Sequence, residues 1–209
     1  MNTAKAISLA LCVAALAGCP DDETIKTPFV DKFDRVELGS NWLNTGANYK
    51  IVDGKINVKG AYNHPLWLKK RLPRNAVIEL DVMSKSGVGD IKVEAWGDGQ
   101  SYATRKGAYL ATSYVFIFGG WGNRISALCR MDEHANDRKT RSDLRVKPGQ
   151  TYHWKIKRQG NKVEWFVDGK PFLAMDDKDP LTGNNHAYFG FNNWQSDLYF
   201  DNLKITPLK

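Results

Sequence analysis

Lys162-Val163-Glu164-Trp165-Phe166-Val167-Asp168-Gly169-Lys170-Pro171-Phe172-Leu173-Ala174 decides the fold class. Apolar and polar residues alternate around an Asp-Gly dipeptide, which supplies the positive φ that a tight hairpin turn requires. Tyr49 to Val52 and Lys55 to Val58 repeat the arrangement around Asp53-Gly54. Working outward, the same period of two continues. Ile78, Leu80 and Val82 oppose Glu79, Asp81 and Met83, while Ile91, Val93 and Ala95 oppose Asp90, Lys92, Glu94 and Trp96. Tyr152, Trp154 and Ile156 oppose His153, Lys155 and Lys157, and Ala187, Phe189 and Phe191 alternate with Tyr188, Gly190 and Asn192. Leu198 and Phe200 run on into Leu203 and Ile205 with a change of phase at Asp201-Asn202, which predicts a bulge. No amphipathic helix interrupts residues 29–209. Because many strands carry one apolar and one polar face, the expected fold is all-β, with two stacked antiparallel sheets and not a closed barrel.

The first residues follow another rule. Lys5 precedes an apolar run from Ala6 to Ala17, too short to span a bilayer, and Leu16-Ala17-Gly18-Cys19 ends it with small side chains where a peptidase needs them. This resembles a bacterial lipoprotein signal. It implies removal of residues 1–18, acylation at Cys19, and attachment of the mature chain to a membrane of the cell envelope through lipid chains, each buried methylene contributing about 0.8 kcal/mol. Residues 19–28, with Asp21, Asp22, Glu23 and two prolines, are read as a tether, and residues 29–209 as one domain.

Composition excludes more than it assigns. The formal charge of +7 is spread among 23 acidic residues and not gathered in a block, and no nucleic-acid motif accompanies it, so nucleic acid is not the expected partner. Cys12 leaves with the signal and Cys19 is acylated, which leaves Cys129 without a disulfide partner. Its place in the alternation Ile125, Ala127, Cys129 reads as a small buried residue. A monomer is expected.

Several segments in order carry a resemblance: Phe33-Asp34 followed by Trp42, the Asp53-Gly54 hairpin, Ile78-Glu79-Leu80-Asp81, Val167-Asp168-Gly169, and the closing Phe200-Asp201-Asn202-Leu203-Lys204-Ile205. Over residues 29–208 the chain resembles the concanavalin A-like jelly-roll domains, a group that includes laminin-G-like modules, legume-lectin relatives and 3-keto-disaccharide hydrolase domains. The resemblance implies a jelly roll and a bias toward sugar ligands, without fixing an activity. Laminarinase-like members carry a Glu-x-Asp-x-Glu strand that sets two carboxyl groups beside the scissile bond. Here Glu79-Leu80-Asp81-Val82-Met83 lacks the third acid, so Glu79 and Asp81 are read as a solvated strand face.

The most unusual stretch is residues 118–141. Gly119, Gly120, Trp121 and Gly122 precede a strand, and Arg130, Asp132, Glu133, His134, Asp137, Arg138 and Arg141 crowd after it. If the strand continues, Arg130, Asp132 and His134 share one parity and aim at a common space. A ligand site and a surface ion-pair loop are both consistent with that crowding. The acids and His134 lack a recognised metal spacing, so no metal or other cofactor is expected, and a structural Ca2+ has no motif behind it. Trp67, Trp96, Trp121 and Trp194 stand among polar, Gly or Asn residues and are read as exposed plates for sugar rings, whereas Trp154 and Trp165 fall on core parities. Asn192 and Asn193 beside Trp194 offer amides matched to hydroxyls, and His64 is a further site candidate, while His186 reads as structural.

The leading expectation is a lipid-anchored, non-catalytic carbohydrate-binding sandwich. Its ligand would meet His64, Trp67, Trp96, Trp121 and Trp194, with polar selection by Glu94, Arg130, Asp132, His134, Asn192 and Asn193. One rival is a glycoside hydrolase or lyase acting on polysaccharide or keto-sugar glycosides through Glu94, Asp132, Glu133 or His134. The other is a structural envelope protein whose aromatic face meets another protein.

Overall fold

A computed structural model describes residues 23–209. The signal segment, Cys19 and the start of the tether lie outside the described residues. The strands are β1 (Phe29–Asp31), β2 (Trp42–Asn44), β3 (Lys50–Val52), β4 (Lys55–Lys59), β5 (Leu66–Leu68), β6 (Ala76–Ser84), β7 (Ile91–Gly97), β8 (Tyr114–Gly119), β9 (Ile125–Arg130), β10 (Lys139–Arg141), β11 (Thr151–Gln159), β12 (Lys162–Val167), β13 (Lys170–Asp176), β14 (Tyr188–Asn192) and β15 (Asp197–Pro207). They form two antiparallel sheets. One runs β13-β12-β11-β6-β15-β4-β3 with β1 added beside β15; the other runs β10-β9-β8-β7-β14-β5-β2. The result is the expected all-β jelly-roll sandwich.

Both Asp-Gly hairpins form, with Asp53 and Asp168 at φ 51° and 50° and their glycines at 68° and 74°. The predicted bulge also forms: β15 shifts register against β6 between Asp201 and Lys204, and Asn202 takes φ 51°. Between the sheets lies the core, where Ile78, Leu80 and Val82 of β6, Trp154 of β11 and Trp165 of β12 meet Phe116 and Phe118 of β8 and Phe189 and Phe191 of β14. Trp154 and Trp165 stack edge to face at 4.5 Å. Glu79 and Asp81 point the other way, onto the outer face of the eight-stranded sheet, where Asp81 accepts hydrogen bonds from His153 (2.8 Å) and Asn202 (2.8 Å).

Three expectations need correction. Trp96 is fully buried in the core because it is the extra residue of a β-bulge: Tyr188 pairs with Gly97 and Phe189 with Ala95, and Trp96 takes φ 57°. That turn swings its side chain from the polar parity of Lys92 and Glu94 to the apolar one. Trp67 is likewise fully buried, on the outer face of the seven-stranded sheet. It lies against the bare backbone of Gly97 and Gly190, and its indole donates to Ser101 O (3.0 Å) in the loop that covers it. The domain also begins before Phe29: Thr24 bridges Arg71, and Ile25 is buried in the core and donates to Arg71 O (2.9 Å).

Candidate functional site

The outer face of the seven-stranded sheet is the half of the fold that holds the unusual residues. Lys92 and Glu94 project from β7, flanked by Ile117 and Val115 of β8 on one side and Asn192 and Gly190 of β14 on the other. A small apolar cluster of Ala111, Val115, Ile117, Ala127 and Cys129 extends this face toward β9. Cys129 is buried there, and burial pushes its thiol up to about 12, which keeps it protonated and unreactive near neutrality.

Glu94 is 0% exposed. Its carboxylate accepts from Ser113 Oγ (2.6 Å), Asn192 Nδ2 (2.7 Å) and the Tyr109 hydroxyl, which sits 2.9 and 3.0 Å from its two oxygens. Burial raises its pKa, and these donors and Lys92 offset part of the rise. Tyr109 belongs to loop 98–112, so Glu94 ties that loop to the sheet. Lys92, 2% exposed, donates to Glu133 Oε2 (2.7 Å) and Asn63 Oδ1 (3.0 Å). Burial opposes its charge, but Glu133, Asp90 and Glu94 outweigh it and hold the ammonium protonated. Asp90 accepts from Trp194 N (2.9 Å), and burial pushes its carboxyl up despite Lys92.

Around these groups the β4–β5, β6–β7, β7–β8, β8–β9, β9–β10 and β14–β15 connections frame a cleft of about 450 Å³ lined by Asn63, Asp90, Lys92, Tyr109, Ile117, Trp121, Glu133, His134, Trp194 and Gln195, among others. Two aromatic walls face it. Trp121 meets His134 edge-on at 5.8 Å and carries the Arg138 guanidinium 4.9 Å from its ring centre; Trp194 meets Tyr62 edge-on at 5.1 Å, with Lys106 4.7 Å from the Tyr62 ring. Asn63, Asp90 and Trp121 sit at φ 64°, 61° and 50°. Asn and Asp visit this region readily, whereas for a bulky side chain it costs about 1–2 kcal/mol, so Trp121 is the one of the three that packing must hold in place.

Of the residues expected from sequence, Trp121, Trp194, Glu133 and His134 line the cleft together, and Glu94 lies beneath it. Others do not. β9 ends at Arg130 and Met131 turns to φ 62°, so Arg130, Asp132 and His134 do not share a direction. Arg130 pairs instead with Asp177 (3.2 Å) and Asp179 (3.1 Å), and Asp132 Oδ1 accepts from His134 N (2.8 Å). Asn192 and Asn193 are buried and spend their amides within the protein: Asn192 on Glu94, Asn193 on Ala61 N (2.7 Å) and Ser196 O (2.5 Å), which fixes the Trp194 turn. His64 meets Thr45 O (3.0 Å) and stacks on Tyr102 outside the cleft lining, and His186 meets Thr112 O (2.7 Å). Asn63, Asp90, Lys92 and Tyr109 were missed. The parity of Asp90, Lys92 and Glu94 against Ile91, Val93 and Ala95 was the available signal for two of these.

The backbone is similar to several solved structures at low sequence identity. The carbohydrate binding module CBM66 from Bacillus subtilis aligns with a TM-score of 0.58 and 13% identity, over 80% of this chain and 97% of that one. A prokaryotic β-1,3-1,4-glucanase (lichenase) from a mouse hindgut metagenome aligns with a TM-score of 0.61 and 14% identity, over 87% and 100%. The Bacillus licheniformis β-glucanase aligns with a TM-score of 0.60 and 12% identity, over 88% and 98%. Curated proteins give no match by sequence. Residues 28–206 match the family model described as the 3-keto-alpha-glucoside-1,2-lyase-like domain, and the chain belongs to that family.

Proposed function

We propose that this chain is a lipid-anchored envelope protein, acylated at Cys19, whose cleft between Trp121 and Trp194 binds a sugar. One observation carries the reading: two aromatic walls stand over the buried ammonium of Lys92, ion-paired to Glu133 and close to Asp90, in a cleft of about 450 Å³. That volume suits a small ligand, apolar faces of a ring can stack on indoles, and hydroxyls can meet Asp90, Glu133, His134 and Gln195. The similarity to a carbohydrate binding module and to glucanases supports the choice of ligand class. In its non-catalytic form the reading draws on Glu94, whose oxygens are occupied by protein donors, and on Glu79 and Asp81, which lie on the opposite outer face. Glycan-array screening of the mature chain, followed by titration of Trp121→Ala and Trp194→Ala, tests it. Both variants lose binding while keeping the fold if the walls hold the sugar, and an array without any ligand refutes the reading.

A second reading is favoured by Asp90. A carboxyl with a raised pKa beside a protonated lysine is the equipment for removing a proton next to a ketone, because Lys92 can stabilise the negative charge that develops on the ketone oxygen. For the 3-keto-glucoside in the family's name, Asp90 would take the C2 proton, the C1–O bond would break as the C1–C2 double bond forms, and the departing alcohol would leave with a proton from His134 or water. Incubation with methyl 3-keto-α-glucoside decides between the readings. Release of methanol that Asp90→Asn abolishes establishes the lyase, and binding without release establishes the module.

A further inference from the structure

The chain is basic overall, yet the ionic groups at the cleft are mostly acidic. Asp90 and Glu133 line it and Glu94 lies beneath, against the single ammonium of Lys92. Lys92 is committed to Glu133 Oε2 and Asn63 Oδ1. Two carboxylate oxygens remain without a hydrogen-bond donor: Asp90 accepts only through Oδ2, and Glu133 Oε1 has His134 Nε2 no closer than 3.7 Å. The nearby cations do not fill that gap. Arg138 donates to the main-chain oxygen of Glu133 (2.6 Å) and packs on Trp121, Lys106 sits over Tyr62 (4.7 Å) and Trp194 (5.8 Å), and neither side chain lines the cleft or bonds to Asp90 or to the Glu133 carboxylate.

Resting on the sugar-binding reading above, we propose that the ring entering this cleft bears no acidic group, and that an amine in place of a hydroxyl tightens its hold. A ligand carboxylate would enter beside Asp90 and Glu133 with the one lysine already paired, and like charges brought together away from water repel strongly. A hydroxyl supplies one of the missing donors. An ammonium supplies the same donor with charge assistance, which makes a hydrogen bond roughly twice as strong. The expected order is therefore amine, then hydroxyl, then carboxylate, opposite to what the net charge of the chain suggests.

Matched probes test the order on the mature chain by calorimetric titration at about pH 6, below the ordinary range of an amine. Glucose, glucosamine and glucuronic acid form one set; galactose, galactosamine and galacturonic acid form the other. The amino sugar of the binding set should exceed its neutral partner by about tenfold, and the uronic acid should fall about tenfold below it. Asp90→Asn should shrink the first ratio, and so should added salt acting on the unmodified chain, which keeps the test intact if the variant misfolds. A uronic acid that binds as tightly as its neutral partner overturns the inference while leaving the sugar reading standing. If none of the six binds, the neutral glycan found by the array and its amino and uronic counterparts take their place in the same comparison, and an array without any ligand refutes both.

Discussion

Lys92→Met is the most informative single perturbation. The lysine is 2% exposed and bridges Asn63 and Glu133, and its charge offsets the burial of Asp90 and Glu94. Methionine fills most of the volume but leaves the carboxylates without their cation, and removing one partner of a buried ion pair costs about 3–5 kcal/mol. Glu133 is 21% exposed, so water recovers part of the loss and the lower end of that range, about 3 kcal/mol, is expected. For a domain of this size each kcal/mol moves the melting temperature by about 2–4 °C, which gives a drop near 10 °C. The penalty should depend on pH in a definite direction. Asp90 and Glu94 have folded-state pKa values raised by burial, so their protonated forms favour the fold, and that contribution is lost as pH rises through the raised values. Without Lys92 both values rise further, and the deficit of Lys92→Met should therefore shrink as the solution is acidified. Urea denaturation near neutrality and at mildly acidic pH measures this. A cost under about 1 kcal/mol, or a deficit that grows on acidification, refutes the account of Lys92 as the counter-ion of this cluster.

Trp67→Ala and Trp96→Ala should each cost about 3–5 kcal/mol in denaturant unfolding, as core residues do, whereas Trp121→Ala should change stability little while weakening glycan binding. Gly190→Ala should destabilise by about 1–3 kcal/mol, because a β-carbon there would lie 2.7 Å from the Trp67 ring, and Trp67→Leu in the same chain should recover part of the loss. Cys19→Ala should abolish incorporation of labelled palmitate and leave an unlipidated precursor or a released soluble form, read by fractionation of the expressing bacterium; unchanged labelling refutes the anchor.

The fold was legible where backbone chemistry writes itself into neighbouring residues. Asp-Gly at 53–54 and 168–169 announces two turns, and the one-residue phase change at Asp201-Asn202 announces a bulge within a single long strand. The bulge at Trp96 had no such marker. Its strand ends immediately afterward at Gly97, so no later apolar residue revealed that the phase had slipped, and an indole at φ 57° has no local sequence signal. Trp67 hid for another reason. Its parity on β5 is outward, as expected of a residue between Leu66 and Leu68, but burial on an outer face depends on a loop that arrives from residues 98–112.

That loop also explains why the site was half read. Sequence alternation says which residues leave a sheet on the same side; it does not say whether that side meets water. Lys92 and Glu94 have the parity of solvated residues, and on the eight-stranded sheet the equivalent Glu79 and Asp81 are only partly covered. On β7 the loops carrying Tyr109 and Glu133 fold back over the face, so the same residue types become buried and find their partners in those loops and in the neighbouring Asn63, Ser113 and Asn192. The crowding of charge after Cys129 signalled Glu133 and His134 because they sit in the roofing loop itself. Their counterparts on the floor carried no such mark, since a strand of alternating apolar and ionic residues is written the same way whether its polar face is roofed or open. What distinguishes this cleft is thus the long-range closure of loops over charge: an ion pair worth little in water is held in a fixed geometry once the loops bury Lys92 and leave Glu133 only partly exposed.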